Sequence, residues 1–188
     1  LDLHHKMDGP LMIAFLDFEA SSLTKKSFPV EVAWIFEDGR SASCLIRPAG
    51  DWLDWSDEAE AIHGISREKL HAEGIPVEAV ASRMMDELSG HRLFASAPSW
   101  DGKWLSVLLR AAGRPRHALR LTKSDEVFRE AAVAILGGGS EREAASLVAG
   151  IIDRTEPETP AHRALPDAEL ELRRWRLVQE EARRLTAS

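Results

Sequence analysis

The chain has 188 residues, enough for one domain with a substantial core, and its 44% hydrophobic and 29% charged residues describe a globular protein, not a disordered one. A formal charge of −7 argues against coating long nucleic acid, which needs clustered Lys and Arg, but not against gripping a strand end through metal ions. Cys44 is the only cysteine, which excludes an internal disulfide and a cysteine-rich zinc site. With no apolar run near the roughly 18 residues of a membrane span and no signal-peptide pattern, a cytoplasmic protein without a membrane partner is expected. Residues 1–10, which include the pair His4 and His5, read as a tag or disordered N-terminus, and 11–188 as a single domain.

The first element is the apolar run Leu11 to Leu16, which continues as Asp17-Phe18-Glu19. Bounded by polar residues, it reads as a strand covered on both faces, and period-two alternation puts Asp17 and Glu19 on the same side. Two like charges about 4 Å apart repel by roughly 4 kcal/mol at an effective dielectric near 20, so a pair held at the edge of a core needs a compensating cation. Hard oxygen ligands favour Mg²⁺ or Mn²⁺. In a chain with 31 acidic residues, Asp-x-Glu alone is more often a solvated strand end, so the rest of the chain must decide.

Val30, Val32, Trp34 and Phe36 alternate up to a turn at Asp38-Gly39, and a second strand follows over Ser43 to Arg47, stopped by Pro48. An acidic loop with Trp52 and Trp55 leads to Ile62-His63-Gly64-Ile65-Ser66. Val77, Val80, Ala81, Met84, Met85 and Leu88 have helical spacing, and the methionines read as core. Gly90 ends that helix. Leu93-Phe94-Ala95 is a short strand, and Trp104, Leu105, Leu108 and Leu109 form the stripe of a helix beginning near Asp101. Ser124 reads as the N-cap of a helix carrying Val127, Phe128, Ala131 and Ile135 that ends at Gly137 to Gly139. Those glycines lack the Lys-Ser/Thr sequel of a phosphate loop. Ser140 with Glu143 is a capping-box pattern for a helix through Leu147, Val148 and Ile151. Pro157 and Pro160 mark a loop containing His162. Pro166 suits the first turn of a last helix with inner face Ala168, Leu172, Trp175, Ala182 and Leu185. Strands first and helices around them predict a mixed α/β sheet.

Asp101 after a short strand and Asp167 at the start of the last helix are placed to meet Asp17 and Glu19, because open α/β sheets bind ligands beyond the carboxyl ends of their strands. Phe15-Leu16-Asp17-Phe18-Glu19, the block Ile62 to Ser66, the stretch Ser96 to Asp101 and the segment His162 to Asp167 resemble, in that order, the motifs of the DEDDh exonucleases. The resemblance implies a ribonuclease H-like fold with a central five-stranded mixed sheet flanked by helices, and 3′–5′ removal of nucleotides from single-stranded DNA, RNA or short oligonucleotides. It implies two divalent ions, with Asp17 bridging them, Glu19 and Asp167 completing the nucleophile's site, and Asp101 serving the second ion. His162 is then the general base, and Phe18, Ala20, Leu23 and His63 lie around the terminal nucleotide; Phe18 reads equally as a core residue, and His63 equally as a loop histidine packed under the acidic segment. Dimers in related families make a homodimer an expectation. Ala97 stands where many members carry Asn, which keeps a second class open: the same fold binding nucleic acid or protein without cleaving it. Trp100 and Trp104 read as packing. His71, His91 and His117 read as surface histidines, and Arg110, Arg114, Arg116 and Arg120 first as a solvated face and second as a guide for a phosphate backbone.

Overall fold

The computed structural model describes residues 11–187, so the expectation for residues 1–10 lies outside it. The first strand, β1 (Ile13–Ala20), is buried or half-buried along its whole length, and it forms the centre of a five-stranded sheet. It pairs antiparallel with β2 (Pro29–Phe36), which pairs antiparallel with β3 (Ser41–Leu45). On its other side it pairs parallel with β4 (Arg92–Ala95), which pairs parallel with β5 (Leu121–Lys123). The spatial order is β3-β2-β1-β4-β5, the mixed sheet that the sequence predicts.

Between β3 and β4 lie α1 (Asp57–His63), α2 (Arg67–Glu73) and α3 (Val77–Leu88); α4 (Pro98–Ala111) joins β4 to β5, and α5 (Ser124–Leu136), α6 (Glu141–Thr155) and α7 (Ala164–Thr186) complete the chain. The segment read as an acidic loop holds α1, and α2 follows it before α3. Helices α1 and α2 are each two turns long, too short for apolar periodicity to show, and each begins on a serine: Ser56 Oγ accepts from Ala59 N–H and Ser66 Oγ from Lys69 N–H. Gly64 closes α1 in the left-handed region, at φ 69°.

Alternation along β1 splits the core in two. Ala14, Leu16, Phe18 and Ala20 join Val30, Val32, Trp34 and Phe36 in a layer with α3 and α4. Phe15 faces the other way with Ile35 and Phe94, into a layer built with α5, α6 and α7. Its ring lies 6.0 Å from Phe128, 6.1 Å from Phe94 and 6.4 Å from Trp175. Helix α7 packs across β1 and β2, so Asp17 and Glu19 continue the row of Phe15 beneath the start of that helix.

Several boundaries differ from the sequence reading. Helix α4 begins at Pro98, three residues before Asp101, because a proline at the first helical position has a fitting φ and no N–H to satisfy. Strand β5 is only three residues long and carries no readable alternation. Lys123, not Ser124, is the N-cap of α5, while Ser124 is buried in the first turn with its Oγ unpartnered. The Ser140 capping box does not form, since Ser140 Oγ donates to the Gly137 carbonyl. His91 is not free at the surface: its Nδ1 accepts from Met12 N–H at 3.1 Å. Leu185 is 51% exposed, because the last turn of α7 runs past the sheet.

The two leucine and phenylalanine readings are separable by denaturation. Phe15→Ala is expected to cost about 3–5 kcal/mol by opening a cavity in the α7 layer, and Leu185→Ala to change stability by less than about 0.5 kcal/mol. Urea unfolding followed by tryptophan fluorescence measures both.

Candidate active site

The site grows from the end of β1. Asp17 is opposite Ala33 of β2 and Glu19 is opposite Glu31, so the small Ala33 leaves space above Asp17 while a third carboxylate faces Glu19. Helix α7 brings in Asp167 from its first turn. Asp17, Glu19 and Asp167 each offer a carboxylate oxygen within 4.8 Å of the others. Asp101 approaches from the opposite face of the sheet, on the first turn of α4. It is buried, its Oδ2 has no hydrogen-bond partner, and its charge is the largest Coulombic influence on Asp17. Among the described residues, no Lys, Arg or His side chain forms a salt bridge with any of these four.

The electrostatics follow from that crowding. Burial, then the charges of Asp101, Glu19 and Asp167, hold the Asp17 carboxyl well above the usual range. Glu19 is pushed up to about 8 by burial and by Asp167 and Glu31, with Arg163 pulling the other way. Burial raises Asp101 to about 7, although the Ala97 and Phe18 backbone opposes it. Asp167 is also raised by burial, and His162 counteracts part of that rise. A convergent set of unpaired oxygens, one of them buried and without any partner, fits a hard divalent cation.

His162 lies in the 156–163 loop and is exposed, as its place before Pro166 implied. Its backbone is left-handed, φ 48°, the one such non-glycine residue described. Two carboxylates that the sequence reading missed pin the ends of this loop. Buried Glu31 accepts from Arg163 Nε at 2.9 Å and Nη2 at 2.6 Å, and from Ala164 N–H at 3.0 Å. Burial pushes Glu31 up, but these bonds outweigh it and hold its pKa below the ordinary value. Buried Glu171 accepts from Arg174 Nη1 at 2.9 Å, and Arg174 also reaches Thr155 Oγ1 and Glu156 at the end of α6. The signal was a charge inside a buried pattern: Glu31 interrupts the otherwise apolar β2, and Glu171 shares the inner face of α7 with Ala168 and Leu172.

The residues expected around a terminal nucleotide separate. Phe18 is a correction: only 4% exposed, its ring belongs to the α3–α4 layer, because alternation turns it away from Asp17 and Glu19. Ala20 is buried. His63 is buried as well, its Nδ1 accepting from Ile65 N–H at 3.0 Å, and burial lowers its pKa. Leu23 is 73% exposed. It lines a cleft of about 540 Å³ with Lys25, Ser99, Trp100 and Lys103. Trp104 is packing, as read, with its Nε1 donating to Ser27 Oγ. Trp100 is not: 38% exposed, it stacks on Trp104 at 5.5 Å and faces this cleft.

No protein-family model and no curated protein matches the chain. Solved structures do. The zinc-bound form of the E. coli exonuclease I–ssDNA complex superposes with a TM-score of 0.68 at 19% identity, over 95% of this chain and 42% of that one. Exonuclease I of Methylocaldum szegediense superposes with a TM-score of 0.63 at 20% identity, over 91% of this chain and 41% of that one. This chain shares the exonuclease I fold. It is the ribonuclease H-like architecture that the DEDDh motifs implied, and the chain spans less than half the length of these exonuclease I structures. Among the described residues, no helix is long and apolar enough to cross a membrane.

The raised carboxylates make the metal-free protein sensitive to pH. Glu19 and Asp101 titrate in the folded chain at about 8 and about 7, above their ordinary 4.5 and 3.8. Their contribution to stability is therefore complete in acid and lost as pH rises through those folded values. The melting temperature of EDTA-treated protein is expected to fall between about pH 5 and pH 8. Asp17→Asn should flatten that fall and saturating Mn²⁺ should remove it, both readable by differential scanning fluorimetry.

Proposed function

We propose that this chain is a divalent-metal-dependent 3′–5′ exonuclease that removes nucleoside monophosphates from the 3′ end of single-stranded DNA. The convergence of Asp17, Glu19 and Asp167 within 4.8 Å, with Asp101 buried beside them, carries the reading. The shared exonuclease I fold, seen with ssDNA in the E. coli protein, supports the choice of strand. RNA 3′ ends and short oligonucleotides belong to the same chemical class and enter the test as competing substrates.

Asp17, Glu19 and Asp167 would hold one ion, Mg²⁺ or Mn²⁺, and Asp17 with Asp101 a second. Bound there, the ions neutralise the phosphate and favour in-line attack by water. The chain's own residues do the rest. His162, exposed beside Asp167, accepts the proton of the attacking water. Leu23 and Trp100 present an apolar edge and a ring face to terminal bases, contacts that accept any base. Lys103 is anchored to the Thr24 carbonyl and Ser27 Oγ and lies 5.1 Å from the Trp100 ring, which holds that ring in the cleft. A net charge of −7 is compatible with this grip, because the strand end is held through cations and stacking and not by a basic track.

A 5′-labelled single strand incubated with Mg²⁺ or Mn²⁺ is expected to shorten stepwise, and EDTA to stop it. Asp17→Ala should abolish turnover while the protein stays folded, since removing one carboxylate relieves repulsion. His162→Ala should lose roughly 10²- to 10⁴-fold in kcat. Internal cuts would make the chain an endonuclease, and no turnover with either metal on DNA or RNA would make it a binding module.

The cleft gives a separate expectation. The double variant Leu23→Ala, Trp100→Ala is expected to raise KM for an oligonucleotide by about 10-fold or more, at about 1–3 kcal/mol per stacked base. Its kcat should change less than KM, because neither side chain touches the carboxylates. Steady-state kinetics on one fluorescent oligonucleotide separates the two constants.

A further inference from the structure

We propose that Glu31 and Arg163 are positioning residues for His162, an inference that rests on the exonuclease reading above. Arg163 follows His162 directly and is the N-cap of α7, with its carbonyl accepting from Asp167 N–H at 3.2 Å. Its guanidinium meets Glu31 through two parallel bonds, Nε to Oε2 at 2.9 Å and Nη2 to Oε1 at 2.6 Å. Oε2 also accepts from Ala164 N–H, and Oε1 from Ser43 Oγ at 3.5 Å. The Glu31 side chain is 3% exposed, so β2 and β3 set where this carboxylate stands, and the forked contact passes that position on to Arg163.

The consequence falls on the preceding residue. His162 has a left-handed backbone at φ 48°, a conformation that costs free energy and persists only where the flanking chain over-determines it. On its C-terminal side, Arg163 and Ala164 are both bonded to Glu31. On its N-terminal side, the loop starts at Glu156, which Arg174 holds together with Thr155 and Glu171. The imidazole of an exposed loop is thus carried on a backbone fixed at both feet. Asp167 joins this turn through the Arg163 carbonyl, a main-chain bond that a side-chain change at 163 leaves, and its helix is otherwise held by packing across β1 and β2. Removing the Arg163 fork therefore moves the base and leaves the carboxylate group in place. The placement of Glu31 also has a cost, because it sits opposite Glu19 and repels it. An apolar residue there would avoid that cost but supply no directional contact to Arg163.

The test is a cycle on kcat with a saturating single-stranded oligonucleotide and Mn²⁺, using wild type, Arg163→Gln, Arg163→Lys, His162→Ala and the double variant His162→Ala, Arg163→Gln. Arg163→Gln is expected to lower kcat by roughly 10- to 100-fold, the scale of a misplacement of about 1 Å, with KM changed by less than about twofold. Arg163→Lys keeps the charge and loses the fork, so it should fold as wild type and still lose several-fold in kcat. In the His162→Ala background, Arg163→Gln should cost nothing further, because the group it positions is gone. The Mn²⁺-induced rise in melting temperature should match wild type in every variant. Equal losses in both backgrounds, a wild-type kcat in Arg163→Lys, or a lost Mn²⁺ shift would overturn the positioning role while the exonuclease reading stands. A wild type that shortens no strand overturns that reading, and the positioning role with it.

Discussion

Repulsion between carboxylates at the end of one buried strand organises everything around it. Burial raises the cost of each charge, and each neighbour adds to it, so the cluster is tolerable in the folded chain only when protonated or when cations neutralise it. The surrounding fold supplies the restraint. Asp17 and Glu19 are fixed by the pairing of β1 with β2, Asp167 by a helix laid across the sheet, and Asp101 by a helix that starts on the far side. No single element holds the site, which is why it keeps its geometry against its own electrostatics.

The two arginine contacts are the counterpart of that repulsion. Arg163 and Arg174 do not neutralise the four site carboxylates. They bind Glu31 and Glu171, the next acids outward, and so leave the inner oxygens open while limiting the total negative charge nearby. Both Glu31 and Glu171 raise the pKa of inner carboxylates, so loss of either arginine would add an unpaired charge at close range. Because the same contacts fix the ends of the His162 loop, charge balance and placement of His162 come from one set of side chains.

The cleft beside Leu23 and Trp100 shows a different use of the same scaffold. Helix α4 carries Asp101 inward and Trp100 outward on adjacent positions. Trp104, buried one turn along, supports the Trp100 ring and anchors it to Ser27.

Much of this was legible in the sequence, where the signal is local. Period two along β1 placed Asp17 and Glu19 on one face, Pro166 kept His162 off the last helix, and the order of motifs implied the five-stranded mixed sheet. Helical periodicity found α3 to within its ends because twelve residues are long enough to show it. Two-turn helices, a three-residue strand and the exposed end of α7 were not legible, since periodicity needs more residues than they have or, for Leu185, a partner surface that ends too early. Phe18 was assigned to the substrate by its neighbours in the motif, and alternation turned it into the core. What only the tertiary structure decided is which charges meet: Glu31 and Arg163 are 132 residues apart, and Asp17 and Asp167 are brought together by a helix crossing. Sequence determines which side chains share a face within one element, because backbone geometry repeats every few residues, whereas contacts between elements depend on how whole faces pack, a property no local pattern contains.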